Sequence, residues 1–231
     1  MDLIWSGLRE AIHIIRTGDN SIWSITLRSL LISGSAVMIS LVLGVLTGAF
    51  LAFKDFRGRN FLLSLVNTGM GLPPVVVGLL VAVFLWRSGP FGHLRLIYTP
   101  AAMVVAQTII ATPIVAGFAT AALRHVDPRL RIQVYALGAS RLQMLWIILR
   151  ETKLPLMAAV MAGFGGAISE VGASMMVGGN LTGETRVLTT AVMLEVSRGD
   201  FPVAMALSII LLVLIFAVNA ILTAVQQQER M

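Results

Sequence analysis

The chain places one carboxylate inside a membrane-length apolar run, and this is the residue with the clearest chemical role. Glu170 is the only acidic residue deep in any of five long apolar runs. Because a charged side chain is costly to bury in lipid, we expect Glu170 to face a bundle interior or a water-filled cavity. Two roles remain open: part of a polar path or its gate, and a structural hydrogen bond to Ser169, Ser174 or another helix.

Two further pairs of residues could interrupt membrane helices and line such a path. Pro73 and Pro74 are consecutive prolines, which remove backbone hydrogen bonds, so a helix must break or kink there. Inside a membrane the freed backbone groups must face protein or water. Gly179 and Asn180 form a predicted turn at the end of the run that holds Glu170. For the two prolines, a pore-lining break and a kink that only shapes the bundle both remain open.

A basic residue among hydroxyls is the candidate for contact with an anion. Arg186 follows Thr185 in the segment between two apolar runs, where it could form charge-assisted hydrogen bonds. An arginine that contacts solvent or lipid headgroups is the alternative. Gln107 lies within an apolar run, and a buried amide of this kind is typical of hydrogen bonds between helices.

The polar, arginine-rich stretch 124–155 has residues suited to ordering short helices. Asp127 can act as an N-cap, because its carboxylate can accept hydrogen bonds from the first helical turn. Pro128 suits the first helical position, where its missing N–H costs nothing. Gly138 suits the left-handed residue that ends a helix. The first half of this stretch is therefore predicted to be a short helix that stops before Gly138.

A second short helix is predicted after a turn at Gly138-Ala139. Ser140, followed three residues later by Gln143, matches the pattern of a capping box. The apolar residues predicted to share one face of the first helix are Leu130, Val134 and Leu137. Those predicted to lie together on the second are Leu142, Leu145, Trp146 and Leu149. An ordinary cytoplasmic loop with a surface helix is the alternative interpretation.

The chain lacks the residues that several common kinds of site require. The chain has no cysteine, which excludes disulfides, thiolate metal sites and a cysteine nucleophile. Its only lysines, Lys54 and Lys153, are not in a Gly-Lys-Ser/Thr loop, so any ATP must be bound by another chain. The histidines His13, His93 and His125 lie in separate segments. We therefore expect no enzymatic activity, bound cofactor or metal in this chain itself.

Membrane helices must position these residues. The chain has 231 residues, of which 57% are hydrophobic and 12% charged, with a mean hydropathy of +0.90. A soluble domain of this size could not bury so much apolar surface in one core. A bilayer core about 30 Å thick needs about 20 apolar residues per helix. The five runs that qualify are 30–53, 61–86, 98–123, 156–178 and 201–225.

The predicted fold is a single all-α integral membrane domain over residues 1–231, with about five transmembrane helices and a cytoplasmic helix pair in the loop 124–155. The N-terminal segment 1–21 holds an amphipathic stretch, 3–15, which is too short to span and is predicted to be an interfacial helix. It lacks the features of a cleaved signal, so no processing is expected.

One face of the first long run carries small residues at four-residue spacing, which lets a neighbouring backbone approach closely. These residues are Ala36, Ser40, Gly44 and Gly48. This face could pack against another helix of the same chain or form a contact between two copies of the chain, and both interpretations remain open.

The positive charges predict a topology with the N-terminus outside and the C-terminus in the cytoplasm. This orientation places ten of the seventeen basic residues in the cytoplasm, namely Lys54, Arg57, Arg59, those of the 124–155 loop and Arg230. The net charge of +6 is then explained by membrane orientation and anionic lipid headgroups, and no nucleic-acid partner is expected.

The segment Gly138-Ala139-Ser140-Arg141-Leu142-Gln143, with the later Leu154-Pro155, resembles the cytoplasmic loop of membrane subunits, or permeases, of binding-protein-dependent ABC importers. Two departures are visible. Ile132-Gln133-Val134 stands where the family has Glu-Ala-Ala, and Leu154-Pro155 falls about one helical turn later than usual, which leaves the docking angle open.

Other motifs narrow the resemblance, which extends from about residue 26 to residue 225. Gly71-Leu72-Pro73-Pro74-Val75-Val76-Val77-Gly78 resembles the oxyanion branch of molybdate, tungstate and sulfate permeases. The motifs most similar to tungstate-type permeases are Ala162-Gly163-Phe164-Gly165, Ile168-Ser169-Glu170-Val171-Gly172-Ala173 and Val177-Gly178-Gly179-Asn180.

The resemblance implies an assembly in the cytoplasmic (inner) membrane. Two copies of this chain would form the path, each docked on a cytoplasmic ATPase that binds ATP, and an external binding protein would deliver an oxyanion, tungstate or otherwise molybdate or sulfate. The residues implied to couple to the ATPase are Asp127, Pro128, Leu130, Val134, Leu137, Gly138, Ala139, Ser140, Arg141, Leu142 and Gln143. The pore or gate candidates are Pro73, Pro74, Glu170, Gly179 and Asn180.

Two other classes of protein remain open. A self-contained channel or an ion-coupled carrier would use Glu170 as its coupling carboxylate and would need no ATPase. The lack of a detectable internal repeat argues against secondary transporters built from repeats. A non-transporting membrane scaffold is the third possibility, and it predicts that Gly138→Asp leaves all uptake unchanged.

Overall fold

The computed structural model describes residues 2–17 and 20–228, and the regular structure within them is helical, which confirms the predicted all-α fold. The α-helices are α1 Asp2–Thr17, α2 Asn20–Phe53, α3 Arg59–Met70, α4 Pro74–Leu85, α5 Pro100–Arg124, α6 Pro128–Ala136, α7 Arg141–Glu151, α8 Lys153–Ile168, α9 Gly172–Gly178, α10 Leu188–Arg198 and α11 Phe201–Gln228. A short 3-10 helix covers Gly92–Leu94 between α4 and α5.

Three helices of the described chain, α2, α5 and α11, are long and apolar enough to cross a membrane alone. The other two predicted spans are each a bent pair of helices. The axes of α3 and α4 differ by 101°, and those of α8 and α9 by 59°. When each bent pair is taken as one span, the chain has the five predicted spans.

The face of small residues on α2 packs against α5 of the same chain. Every residue of the four-residue series is buried, namely Ala36, Ser40, Gly44 and Gly48. A Cβ added at Gly44 would lie 2.7 Å from the Cβ of Val115, and one added at Gly48 would lie 2.7 Å from the Cβ of Ala119. Of the two alternatives for this face, the structure therefore shows packing within the chain.

The N-terminal helix α1 lies against α11. Ala11 is 1% exposed and packs with Ala206 of α11, while Trp5 and Ile12 are exposed. The 16 residues of α1 give a length of about 24 Å, which is too short to span a bilayer core. The amphipathic helix is therefore present as predicted, and its position in the membrane interface stays a prediction.

The long helix α5 separates two ends of the molecule. Its 25 residues extend for about 37 Å, from Pro100 to Arg124. The pair α6–α7 follows its C-terminal end, where Phe53 at the end of α2 also packs. The segment 86–99 precedes its N-terminal end. After the roles predicted from the sequence, we call the end with α6 and α7 the coupling end and the end with segment 86–99 the outer end. Lys54 and the residues up to Arg59 follow α2 at the coupling end. Arg230 lies outside the described residues.

Candidate functional site

The first helix of the coupling end begins and stops where its local sequence predicts. Asp127 Oδ1 accepts a hydrogen bond from the backbone N–H of Arg129 at 2.8 Å, and Pro128 occupies the first helical position. The helix ends at Ala136, and Gly138 takes a left-handed conformation with φ +80°. The predicted N-cap and the predicted glycine stop are both confirmed.

The second helix opens with the predicted capping box. Ser140 Oγ accepts a hydrogen bond from Gln143 N at 3.3 Å, and Gln143 Oε1 accepts one from Ser140 N at 2.8 Å. Arg141 is the first residue of α7, and its side chain lies outside the described residues. α7 passes into α8 at Thr152, so Leu154-Pro155 lies in the first turn of α8.

The apolar residues of α6 do not all pack inward. Val134 is 7% exposed, and Leu130 packs against a core that contains Leu123. Leu137 does not join them. It is 87% exposed, because α6 ends at Ala136 and the chain turns away before Gly138.

The predicted apolar face of α7 divides in the same way. Ile148 is fully buried at the centre of the packed side, with Leu145 and Leu149 beside it. Leu142 and Trp146 instead point away from this core and are 79% and 61% exposed. The four residues predicted to act together thus have two different environments, because the inward direction of α7 is centred on Ile148.

Large apolar side chains on both sides of the Gly138 turn remain exposed, and we call them the coupling patch. Its members are Ile132, Tyr135, Leu137, Leu142 and Trp146. They belong to a stretch that is otherwise rich in arginine and polar residues. Exposed apolar residues rimmed by polar ones are typical of protein–protein or membrane interaction sites.

Arg131 attaches the coupling helices to the membrane helices, a role that sequence reasoning missed. Its guanidinium carbon lies 4.3 Å from the ring centroid of Phe53 at the end of α2. Its Nη2 donates a hydrogen bond to the backbone oxygen of Leu123, near the end of α5, at 3.2 Å. In sequence Arg131 is one of several arginines in the stretch, and no local pattern distinguishes it.

The second part of the site is the place where the two bent spans meet. α4 begins directly after Pro73, and α9 begins two residues after Glu170. A Cβ added at Gly172 would lie 2.6 Å from Val75 Cγ2 and 3.5 Å from Glu170 Oε1. The structure therefore brings together two of the predicted pore candidates, the paired prolines and the buried carboxylate.

Glu170 is 6% exposed, and its hydrogen bonds stabilise the second break. Its Oε1 accepts a hydrogen bond from the backbone N–H of Ala173 in the first turn of α9 at 2.7 Å. Its backbone oxygen accepts one from the hydroxyl of Thr189 on α10 at 3.1 Å. The structure thus shows the structural role that was one of the two alternatives, and the role in a path or gate stays a prediction.

The serines predicted as possible partners of Glu170 form other bonds. Ser169 Oγ donates to the backbone oxygen of Gly165 at 2.7 Å. Ser174 Oγ accepts from Gln107 Nε2 at 3.3 Å, so Gln107 does form a hydrogen bond between α5 and α9 as predicted. The Oε1 atom of Gln107 is buried and has no hydrogen-bond partner among the described residues.

The turn after α9 holds the last predicted candidates. Gly179 and Asn180 both have positive φ, +70° and +53°, which confirms a turn. Arg186 donates to Asn180 twice, from Nε to the side-chain oxygen and from Nη2 to the backbone oxygen, both at 3.3 Å. The structure therefore places the Arg186 guanidinium against the turn. The sequence had predicted contact with an anion, or with solvent and lipid headgroups, and neither prediction included this contact with the turn.

The family of this chain follows from its similarity to known proteins. A family model described as binding-protein-dependent transport system inner membrane component matches residues 40–230. The tungstate uptake system permease protein TupB of Peptoclostridium acidaminophilum is 36% identical over 228 residues, covering 99% of this chain and 100% of that relative. A probable anion ABC transporter permease protein of Haloferax volcanii is 40% identical over 203 residues, covering 86% of this chain and 88% of that relative.

Permease proteins named for molybdenum and sulfate transport also match, over smaller shares of this chain. Among solved structures, an inward-facing MetNI methionine ABC transporter has a chain with a TM-score of 0.71 at 18% identity, covering 93% of this chain and 97% of that one. Identity this low supports the fold alone. Because the family model covers most of the chain, this protein belongs to the family of inner membrane components of binding-protein-dependent transport systems.

Proposed function

We propose that this chain forms the membrane path of an ATP-driven importer for an oxyanion, with tungstate as its cargo. The observation that carries the proposal is the coupling patch, exposed on a capped helix pair that is packed onto the ends of α2 and α5. A relative at 36% identity that is named for tungstate uptake supports the choice of cargo. The assembly proposed is two copies of this chain, two cytoplasmic ATPase subunits that bind ATP, and an external binding protein.

The coupling helices are connected to the helix breaks through α8. α7 passes into α8 at Thr152, and α8 ends at Ile168, two residues before Glu170, which is followed by α9 from Gly172. A movement imposed on the coupling patch by an ATPase would therefore be transmitted along α8 to the region where α4 meets α9. Such a two-state assembly, biased by ATP and by the loaded binding protein, would alternate between inward-facing and outward-facing states.

The proposed orientation places the coupling end in the cytoplasm and the outer end on the side of the binding protein, with the N-terminus outside and the C-terminus inside. Molybdate and sulfate are the alternative cargoes, because permeases named for molybdenum and sulfate transport also match. An ion-coupled carrier centred on Glu170 is less well supported, since that carboxylate is hydrogen-bonded to the first turn of α9.

The variant Gly138→Asp tests the docking role of the coupling patch. Gly138 has φ +80° and a Cβ there would meet nothing within 4 Å. Aspartate is one of the residues that tolerate this conformation best, so the fold should be retained while a charge enters the patch. We expect the tagged chain from native membranes to carry a soluble ATPase, and the variant to lose both that ATPase and tungstate uptake.

Gly199→Asp is the matched control. Gly199 has φ +78° and equally open space, but it lies between α10 and α11. The far end of α11 reaches the coupling end, where Gln226 donates to the backbone oxygen of Leu154, so Gly199 lies at the outer end. The control should keep the ATPase and the uptake. A wild-type chain that inserts normally and carries no ATPase would refute the proposal, and competition by molybdate or sulfate would identify the preferred anion.

A further inference from the structure

The outer end has a pocket that lies away from the coupling patch. The segment between α4 and α5 lines an open pocket of about 1150 Å³. Its wall includes Trp86 and Tyr98, whose ring centroids are 6.3 Å apart with the rings nearly perpendicular. Its basic lining residues are Arg87, His93 and Arg95. The segment 85–98 contains no acidic residue, so the fixed charge of the pocket is positive.

The basic side chains of this pocket are not paired within the described chain. Within residues 2–17 and 20–228, the side chains of Arg87, His93 and Arg95 have no hydrogen bond or ion pair, and all three are exposed. Arg28 and Arg186 at the same end differ, because their guanidinium groups donate to backbone oxygens of the 180–186 loop. Arg87, His93 and Arg95 therefore present donors to the pocket that the described chain does not occupy.

The backbone holds these residues in uncommon conformations. In the described part of the chain, the residues other than glycine with positive φ are Arg95, Tyr98 and Asn180, at +52°, +63° and +53°. All three lie at the outer end, and Arg95 and Tyr98 line the pocket. Backbone of this kind costs energy and is concentrated at binding sites, where surrounding structure maintains it.

The pocket adjoins the region where the two bent spans meet. The backbone N–H of Tyr98 donates to the oxygen of Val177 in α9 at 2.8 Å. A Cβ added at Gly179 would lie 2.7 Å from the Tyr98 ring. α9 runs from this contact back to Gly172, beside Glu170 and the start of α4. The pocket therefore lies at the outer end of the two short helices that follow the breaks.

We propose that this pocket binds a tetrahedral oxyanion, and that it receives the transported anion from the binding protein before the anion enters the membrane. Two guanidinium groups offer planar forks of N–H donors that match the oxygens of such an anion. His93 adds a further donor at the same wall. This inference rests on the proposed function, and it assigns the first contact of the cargo to Arg87 and Arg95. A phospholipid headgroup offers the same phosphate chemistry, and the experiment must distinguish the two sources.

The fluorescence of Trp86, which lies in the pocket wall, reports directly whether an anion is bound in the pocket. The other three tryptophans, Trp5, Trp23 and Trp146, are changed to phenylalanine in the full chain, which is purified in a maltoside detergent. We expect sodium tungstate to change Trp86 fluorescence saturably, whereas sodium chloride at equal ionic strength does not. In the double variant Arg87→Gln, Arg95→Gln, the apparent affinity should fall on the order of 100-fold, since two charge-assisted bonds are lost.

Arg198→Gln is the matched control, because Arg198 is an exposed arginine near the outer end that pairs with Glu195 at 3.0 Å and does not line the pocket. It should leave the response unchanged. A different outcome is that tungstate does not change Trp86 fluorescence in the protein with native arginines, and that the double variant loses copurified phospholipid. In that case a lipid headgroup is the bound oxyanion and the receiving role is refuted. If neither signal depends on the two arginines, the pocket is not an oxyanion site. Tungstate uptake by wild-type cells is measured separately, so failure of the pocket and failure of the proposed function are distinguished.

Discussion

The coupling helices and the paired helix breaks face the same physical problem, backbone groups left free at helix ends, and they meet it differently. At the coupling end the caps come from residues within three positions, as with Asp127 and the Ser140–Gln143 pair. At the breaks, Glu170 caps α9 locally, but its own backbone oxygen needs Thr189 from a distant helix.

The environment explains this difference. Backbone groups at the coupling end can bond to water, so short-range caps suffice and large apolar side chains remain available for a partner. Backbone groups within a membrane have no water to bond with, and at the break beside Glu170 the partner comes from another helix, the hydroxyl of Thr189. Changes at the breaks should therefore affect folding first, whereas changes at the coupling end should affect assembly first.

The largest expected effect on stability is at the contact between α4 and α9. A Cβ added at Gly78 would lie 2.5 Å from the Cα of Ala173, a backbone atom that cannot move without separating the helices. We expect Gly78→Ala to lower the free energy of unfolding by about 3 kcal/mol, the cost of overpacking a filled contact. Thermal unfolding of the purified chain in detergent measures it.

Gly34→Ala on α2 provides the control, because a Cβ there meets nothing within 4 Å. Helix propensity alone should then raise stability by up to about 1 kcal/mol. Equal unfolding temperatures for the two variants would mean that the close approach of α4 and α9 does not exist.

A smaller effect is expected at the carboxylate that caps α9. Glu170→Leu leaves the N–H of Ala173 without its acceptor, and the loss of a buried hydrogen-bond partner should cost about 2 kcal/mol. Glu170→Gln keeps an acceptor oxygen, so it should retain most of the stability and most of the uptake. If the glutamine variant folds normally but transports nothing, ionisation of Glu170 matters and the structural role is incomplete.

The smallest effect on stability is expected at the coupling end itself. Arg131→Met removes the hydrogen bond to the oxygen of Leu123 and the contact with Phe53, which together should contribute about 1 kcal/mol. Because Arg131 positions α6, we expect the Arg131→Met chain to copurify with clearly less ATPase, although its free energy of unfolding falls only slightly. Arg129→Met is the comparison, since the side chain of Arg129 is exposed on the same helix. Matching ATPase yields for the two variants would refute a positioning role for Arg131.

Local sequence predicted the coupling pair closely, because its caps depend on neighbours along the chain. Asp127, Pro128, Gly138 and the Ser140–Gln143 box all occupy their predicted positions. The exposure of Leu142 and Trp146 was not predictable, since helical periodicity places residues on a common face without showing where the core centres. Arg131 was missed for a related reason, because its partners Phe53 and Leu123 are on other helices.

The break between α8 and α9 was not predicted, whereas the sequence by itself determined the apolar runs, the break at the paired prolines and the caps of the two coupling helices. These features follow from hydrophobic length and from backbone chemistry that acts over one helical turn. Only the tertiary structure decided that the start of α4 lies beside Glu170, that Arg186 holds the Asn180 turn, and that the basic residues near Tyr98 line one pocket. The first depends on a contact between residues far apart in the chain, which is fixed by how whole helices pack. The other two depend on the path of a loop over more than one helical turn, which local helix chemistry does not set.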